Sequence, residues 1–429
     1  MRIGCPGRIL TYYYESRLGN FGLNLTVDRF FKEGGGPVKY DTVKRQLYYL
    51  PFYRFRGMAY SLLSEVRFED NIEPDLPVLP GKTVYQQRCR SFDLTVPAFE
   101  EKAFVLDSLG VRPEVMPLTA FTNDALPRDA IRVDLTVSPE NARKLSMGMF
   151  ALNLGVASEG KSCVISEMVG DGLSVIYYPV WAYAVRKDGH ELTFILDGLA
   201  KSVISVIPGL FEYRPTGKDI SQAGILTPIQ HKCPSCGFNL PTSECSLHYH
   251  CANCGKSYML KTDTYQKVET ISFQYEPAAG HYPFWRFPFI TGENLKTVAD
   301  FSKILTGEIP LLAKNKARMP FYLYIPAFRI PDLEILTGRG LRLCRTQPIL
   351  SPANKELKPE AELVLPENEA LKLAKFYWTS VRSRYKYLDK EMFEFKPQDA
   401  GPGELIWLTM TPFRPNAILT EKKQAQLSE

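Results

Sequence analysis

Two Cys-x-x-Cys pairs constrain this chain more than any other feature. Cys233-Pro234-Ser235-Cys236-Gly237 and Cys251-Ala252-Asn253-Cys254-Gly255 are separated by the 14 residues from 237 to 250. Two thiolates three positions apart on a tight turn can face one ion. The glycine after each pair permits a left-handed residue that turns backbone amides toward the sulfurs. Four sulfurs then close a tetrahedron, which draws the two segments together. Of the 9 cysteines, five fall between positions 233 and 254, a pattern of metal binding in a reducing compartment and not of a disulfide framework. Cys5, Cys89, Cys163 and Cys344 are scattered and read as inert, buried small hydrophobes.

On these residues the chain resembles the zinc-ribbon superfamily, whose small β-hairpins are held by a four-cysteine zinc site. The resemblance covers about residues 228 to 262. It implies Cys233, Cys236, Cys251 and Cys254 as ligands of a structural zinc, with Tyr249 and Tyr258 on the strands of the ribbon. Four protein ligands leave no open position for a substrate water. Cys245, His248 and His250 are the alternative ligands; their plain reading is a loop thiol and two strand-borne imidazoles. A one-iron rubredoxin-type centre also uses paired knuckles, usually further apart. Lys232, Lys256, Lys261 and Glu244 leave a small positive charge that a four-thiolate zinc centre offsets, so the ribbon is about neutral. Neutrality weakens phosphate binding as its main role and favours a fold clip or a protein-docking knob.

Around the ribbon, a proline flanked by aromatics recurs. It occurs in Tyr49-Leu50-Pro51-Phe52-Tyr53-Arg54-Phe55-Arg56, Tyr178-Pro179-Val180-Trp181, Tyr282-Pro283-Phe284-Trp285-Arg286-Phe287 and Tyr324-Ile325-Pro326-Ala327-Phe328-Arg329, and more weakly in Pro412-Phe413-Arg414. Such residues argue for strands, and the proline predicts an edge, a strand start or a bulge. Pro139-Glu140-Asn141 and Pro366-Glu367-Asn368 each open a helix, with proline and acid in the first turn. Strands before and after each helix, at Pro51 and Pro179 and at Pro326 and Pro412, suggest a duplicated strand, helix, strand module. The spacing is irregular, since Pro51 to Pro139 is 88 residues and Pro326 to Pro366 is 40. Leu173 to Arg186 and Glu191 to Leu196 read as a hairpin turning at Lys187-Asp188-Gly189, and the polar stretch from Pro415 to Glu429 as a frayed end. Tyr-x-Pro-aromatic strands about a central ribbon resemble an uncharacterised bacterial zinc-ribbon protein type, a likeness that carries architecture and no chemistry.

The expected fold class is therefore α+β, with two related antiparallel-sheet-and-helix modules, residues 1–227 and 263–429, flanking a zinc ribbon at 228–262. The 429-residue length suits two or three domains, and 45% apolar with 23% charged residues excludes collagen-like, coiled-coil and wholly disordered chains. A net charge of +5 names no partner.

Gly155-Val156-Ala157-Ser158-Glu159-Gly160-Lys161-Ser162 matches the P-loop pattern, with Asp197 as the acidic metal partner that reading would need. A P-loop leaves a strand and enters a helix, whereas here a helix precedes and a β-like run follows. Other catalytic signals are thin. Histidine occurs only at 190, 231, 248, 250 and 281, and Glu100-Glu101 reads as a solvated face. Arg54, Arg56, Arg286 and Arg329 beside aromatics offer either base stacking or ordinary packing between layers. Residues 1–7 lack a signal-peptide pattern, and the longest uncharged apolar run, Leu173 to Val185, holds Pro179 and falls short of the about 20 residues of a spanning helix. The expectation is a cytoplasmic, non-enzymatic zinc-ribbon scaffold or adaptor binding a protein partner. Nucleic-acid binding is the alternative, and a P-loop-like nucleotide-binding enzyme the third reading.

Overall fold

The computed structural model describes residues 10–35, 39–67, 82–109, 116–121, 125–153, 161–215, 217, 230–241, 246–261, 264–277, 280–290, 296–306, 314–353, 356–383 and 396–413. The polar end from Pro415 lies outside these residues. In chain order the elements begin with β1 (Leu10–Tyr13), α1 (Asn20–Glu33), β2 (Asp41–Arg67), β3 (Lys82–Pro97), β4 (Thr119–Ala120), β5 (Ile131–Arg132), α2 (Pro139–Asn153), β6 (Lys161–Lys187), β7 (His190–Asp197) and β8 (Val203–Pro208). There follow β9 (His248–His250), β10 (Ser257–Lys261), β11 (Thr264–Val268), β12 (Ile271–Gln274), β13 (His281–Pro288), α3 (Val298–Thr306), α4 (Lys314–Ala317), β14 (Tyr322–Pro326), α5 (Leu333–Thr346), β15 (Ser351–Pro352), α6 (Glu367–Arg382) and β16 (Glu404–Thr409). The fold is α+β, and both proline-led helices form where the sequence predicts them.

Contact density divides the chain into two compact units built from interleaved segments: residues 1–56, 92–153 and 171–227 in one, and 57–91, 154–170 and 228–429 in the other. In the first unit, alternate residues of the central strands serve two cores, as the period of two in a strand requires. Leu50 and Phe52 of β2 join Ile176, Tyr178 and Val180 of β6 on one face. Tyr183 and Val185 of β6 meet Phe194 and Leu196 of β7 and the buried Leu23 and Val27 of α1 on the other. The expected hairpin is β6 against β7, with Lys187 opposite His190.

In the second unit β14, β13, β16, β12 and β15 lie side by side in that order. Residues of α5 and α6, among them Leu336, Leu341, Leu373, Phe376 and Trp378, bury their apolar faces in one cluster with Phe284, Phe287 and Ile406 of the sheet. Asp332 caps α5 by accepting from the backbone amides of Glu334 and Ile335.

An edge, a strand start or a bulge was expected for the prolines; Pro326 ends the edge strand β14, whereas Pro51, Pro179 and Pro283 stand within the interior strands β2, β6 and β13. The sheet tolerates them through one repeated arrangement. In a strand the N–H and C=O of a residue face the same flank, so a proline lacks a donor on one side only. Pro51 accepts from the Ala98 amide at 3.0 Å, Pro179 from Gly198 at 3.0 Å and Pro283 from Ala327 at 2.9 Å. Each donor is the first residue past the end of a neighbouring strand, respectively β3, β7 and β14. The missing N–H therefore falls where the ladder has already stopped. At Pro179 the approach is so close that a Cβ built on Gly198 would lie 2.6 Å from the proline carbonyl oxygen. Gly198→Ala should destabilise the protein by about 1–3 kcal/mol through this overpacking, read as a lowered urea midpoint.

Candidate metal centre

Each Cys-x-x-Cys pair folds into the same turn for the same local reason. In the first, the Gly237 amide donates to the Cys233 carbonyl and the Cys233 amide to Phe238, both at 2.8 Å. In the second, Gly255 donates to Cys251 and Cys251 to Lys256, both at 2.9 Å. Gly237 and Gly255 take φ of 71° and 65°, the left-handed backbone that favours glycine. β10 pairs antiparallel with β9 and β11; Tyr249 and Tyr258 sit on strands as the ribbon resemblance implies, with Tyr258 opposite Tyr249, and β11 carries the small sheet past residue 262.

These turns bring four sulfurs together. The Sγ atoms of Cys233 and Cys254 are 3.6 Å apart, as are those of Cys236 and Cys251, and all four lie within 4.8 Å of one another. Zinc–sulfur bonds of about 2.3 Å at tetrahedral angles place sulfurs about 3.8 Å apart, so the cluster has a size that fits zinc. Cys233 and Cys251 are buried, while Cys236 is exposed. The donor set could hold a metal ion and is compatible with a zinc ribbon.

The thiols do not titrate alike. Burial raises the Cys233 thiol, but hydrogen bonds from the Tyr258 hydroxyl and from the amides of Cys236 and Ser235 bring it down to about 6. The Asn253 side chain, followed by the Phe238 amide, lowers Cys236. Cys254 is pulled down by the Lys256 amide, yet burial and the three neighbouring sulfurs push it up to about 11. Metal binding to such thiols requires their thiolate forms and releases their remaining protons.

Neither alternative histidine belongs to the cluster. His250 shares a 3.0 Å hydrogen bond with Ser257, and His248 is 5% exposed with its ring 5.0 Å from that of Trp407. His231 instead ties Tyr265, through Nδ1 at 2.6 Å, to the Pro241 carbonyl. Cys245 lies outside the described residues. The seating of the ribbon was not visible in the sequence. The Leu247 amide donates to the Leu363 carbonyl at 2.8 Å, and Leu247 and Met259 pack on the large core of the second unit. These residues look like ordinary strand residues, so no sequence signal marks them.

Other predicted sites disperse. Residues 155–160 of the P-loop match lie outside the described residues, and Ser162 sits in β6. Asp197 accepts from the Tyr178 hydroxyl and from the Leu199 and Ala200 amides, all within 2.9 Å, so it holds a turn. Arg54 is buried in a two-pronged ion pair with Asp93. Arg286 pairs with Glu404 and lies over the rings of Phe273 and Tyr322, and Arg329 donates to the Ser91 hydroxyl at 3.1 Å. Burial pushes the Cys89 and Cys344 thiols up to about 12, which makes them poor nucleophiles.

Compared with known proteins, the chain matches no family model, no curated protein and no solved structure.

Metal analysis of the purified chain should find one zinc, and Cys251→Ser should cut it to less than about a tenth, while Cys89→Ser and Cys344→Ser leave it unchanged. Acid adds a second test. Burial, followed by the charge of His250, lowers His248 from 6.5 to about 4. A depressed folded pKa contributes stability that is present above pH 6.5 and lost as pH falls through about 4. The melting temperature should decline across that window, and less steeply in His248→Leu.

Proposed function

We propose that this chain is a zinc-ribbon scaffold or adaptor of the cytoplasm, in which Cys233, Cys236, Cys251 and Cys254 hold a structural zinc and the ribbon meets a protein partner. The reading rests on one observation above the rest: the four sulfurs close on themselves within 4.8 Å and would fill a tetrahedral shell, leaving no coordination position for substrate. Such a metal shapes a surface and performs no reaction. Phe238, directly after the first knuckle, stands 52% exposed, an aromatic side chain held out by a turn that metal would make rigid. Two arginines that would serve a nucleic-acid surface, Arg54 and Arg286, are instead spent on carboxylates within the fold. No helix among the described residues is long and apolar enough to cross a membrane.

The test is isolation of the full chain from its own host at low salt, with zinc, accompanying protein and nucleic acid quantified together. One zinc and a stoichiometric protein that is lost in Phe238→Ser is the expected result. Nucleic acid released by moderate salt, or ATP hydrolysis abolished by Lys161→Ala, would replace this reading with the second or the third.

A further inference from the structure

The two larger sheets share a plan. In the first sheet the path of strands is β3-β2-β6-β1-β4, and in the second it is β14-β13-β16-β12-β15. Numbered along the chain as five strands with a helix before the last, α2 or α6, both read third, second, fifth, first, fourth. The pairing sense agrees as well. β1 runs parallel to β6 and antiparallel to β4, while β12 runs parallel to β16 and antiparallel to β15. β5 adds a short parallel pairing to β2, and a parallel bridge from Pro359 to His281 of β13 occupies the corresponding place.

Hydrogen bonds align the sheets residue by residue. Ala98 donates to Pro51, and Ala327 to Pro283. The Ala98 carbonyl then accepts from Thr136 and Val137, and the Ala327 carbonyl from Val364 and Leu365. The Tyr53 hydroxyl donates to the Val137 carbonyl at 3.0 Å, and the Trp285 indole N–H to that of Leu365 at 2.8 Å. The residues that make these bonds sit in matching strings: Pro51-Phe52-Tyr53-Arg54-Phe55 with Pro283-Phe284-Trp285-Arg286-Phe287, Pro97-Ala98-Phe99 with Pro326-Ala327-Phe328, and Pro139-Glu140-Asn141 with Pro366-Glu367-Asn368.

This alignment pairs Pro51 with Pro283, not with Pro326 as the strand, helix, strand reading had it. The irregular gap then disappears: Pro51 to Pro139 is 88 residues and Pro283 to Pro366 is 83, while Pro97 to Pro139 is 42 and Pro326 to Pro366 is 40.

We propose that the stretch from β1 to β6 and the stretch from β12 to β16 are copies of one fold of five strands and one helix, and that the zinc ribbon is an addition to the second copy which the fold of that copy does not need. Among the described residues the first copy has no counterpart of β9, β10 and β11, yet it forms the same carbonyl and amide bonds. The segment before the helix is met there by another element, the Tyr213 hydroxyl accepting from the Asp134 amide at 3.0 Å, where the second copy presents Leu363 to the Leu247 amide of the ribbon. The shared strings are then scaffold, and what distinguishes this protein lies in the parts the copies do not share. The inference does not depend on what the ribbon binds.

Hydrogen exchange on the full chain tests both halves of it. In a Cys251→Ser/Cys254→Ser variant, residues 248–261 should lose protection by more than about tenfold, with the amides of Ala327, Val364 and Leu365 within about twofold of the unaltered chain. Loss of protection at those three amides along with the ribbon would overturn the dispensable ribbon. Tyr53→Phe and Trp285→Phe each remove one donor to the equivalent carbonyl. Exchange should rise about fivefold at Thr136 and Val137 in the first and at Val364 and Leu365 in the second, the factor expected for one hydrogen bond of about 1 kcal/mol. A response in one copy and none in the other would overturn the equivalence.

Discussion

A proline inside a sheet has to find a place where no donor is needed, and that requirement organises this molecule. Pro51, Pro179 and Pro283 stand in interior strands, so one neighbouring strand of each stops opposite the proline and closes with one last amide. Strand ends, register and the direction of the departing chain follow. Ala98 and Ala327 close the ladder at two of these places, and at the third only glycine fits against Pro179. Aromatic neighbours then fill the space on either face, with the Tyr53 hydroxyl or the Trp285 indole reaching the segment that starts the next helix.

The ribbon obeys a different economy. Its apolar cluster consists of Cys233, Leu240, Tyr249, Cys251 and Tyr258, with Cys254, Leu260 and Tyr265 against it, too little apolar surface to hold a small sheet alone. Four thiols that can lose protons repel one another, and a divalent cation converts that repulsion into the strongest cohesive term available there. His248 is the point where ribbon and core meet, a neutral imidazole against Trp407. The same burial that makes it a good packing residue makes its protonation costly.

Arginines beside aromatics invite a binding interpretation, and two of them are paired within the fold. Arg54 is taken from water and matched to Asp93, and the half-buried Arg286 is matched to Glu404. A buried guanidinium so paired specifies an arrangement more than it adds stability, because desolvation offsets much of the attraction. Asp197, a candidate metal partner by its position in sequence, is likewise satisfied by a tyrosine and two amides.

What the sequence alone determined was local. Spacing set the two cysteine knuckles, since three-residue thiol pairs followed by glycine have few conformations. Proline with acid in the first turn set the two helices, and aromatic and β-branched runs set the strands and the α+β class. Side-chain period and turn chemistry act within a few residues, so these features could be read directly. Only the tertiary structure decided which strands became neighbours, that Pro51, Pro179 and Pro283 are interior, and that Leu247 and His248 seat the ribbon. Those outcomes depend on which distant carbonyl an amide reaches and on which apolar face covers which. Such contacts are chosen by packing the whole chain, and they leave no trace in the spacing of residues along it.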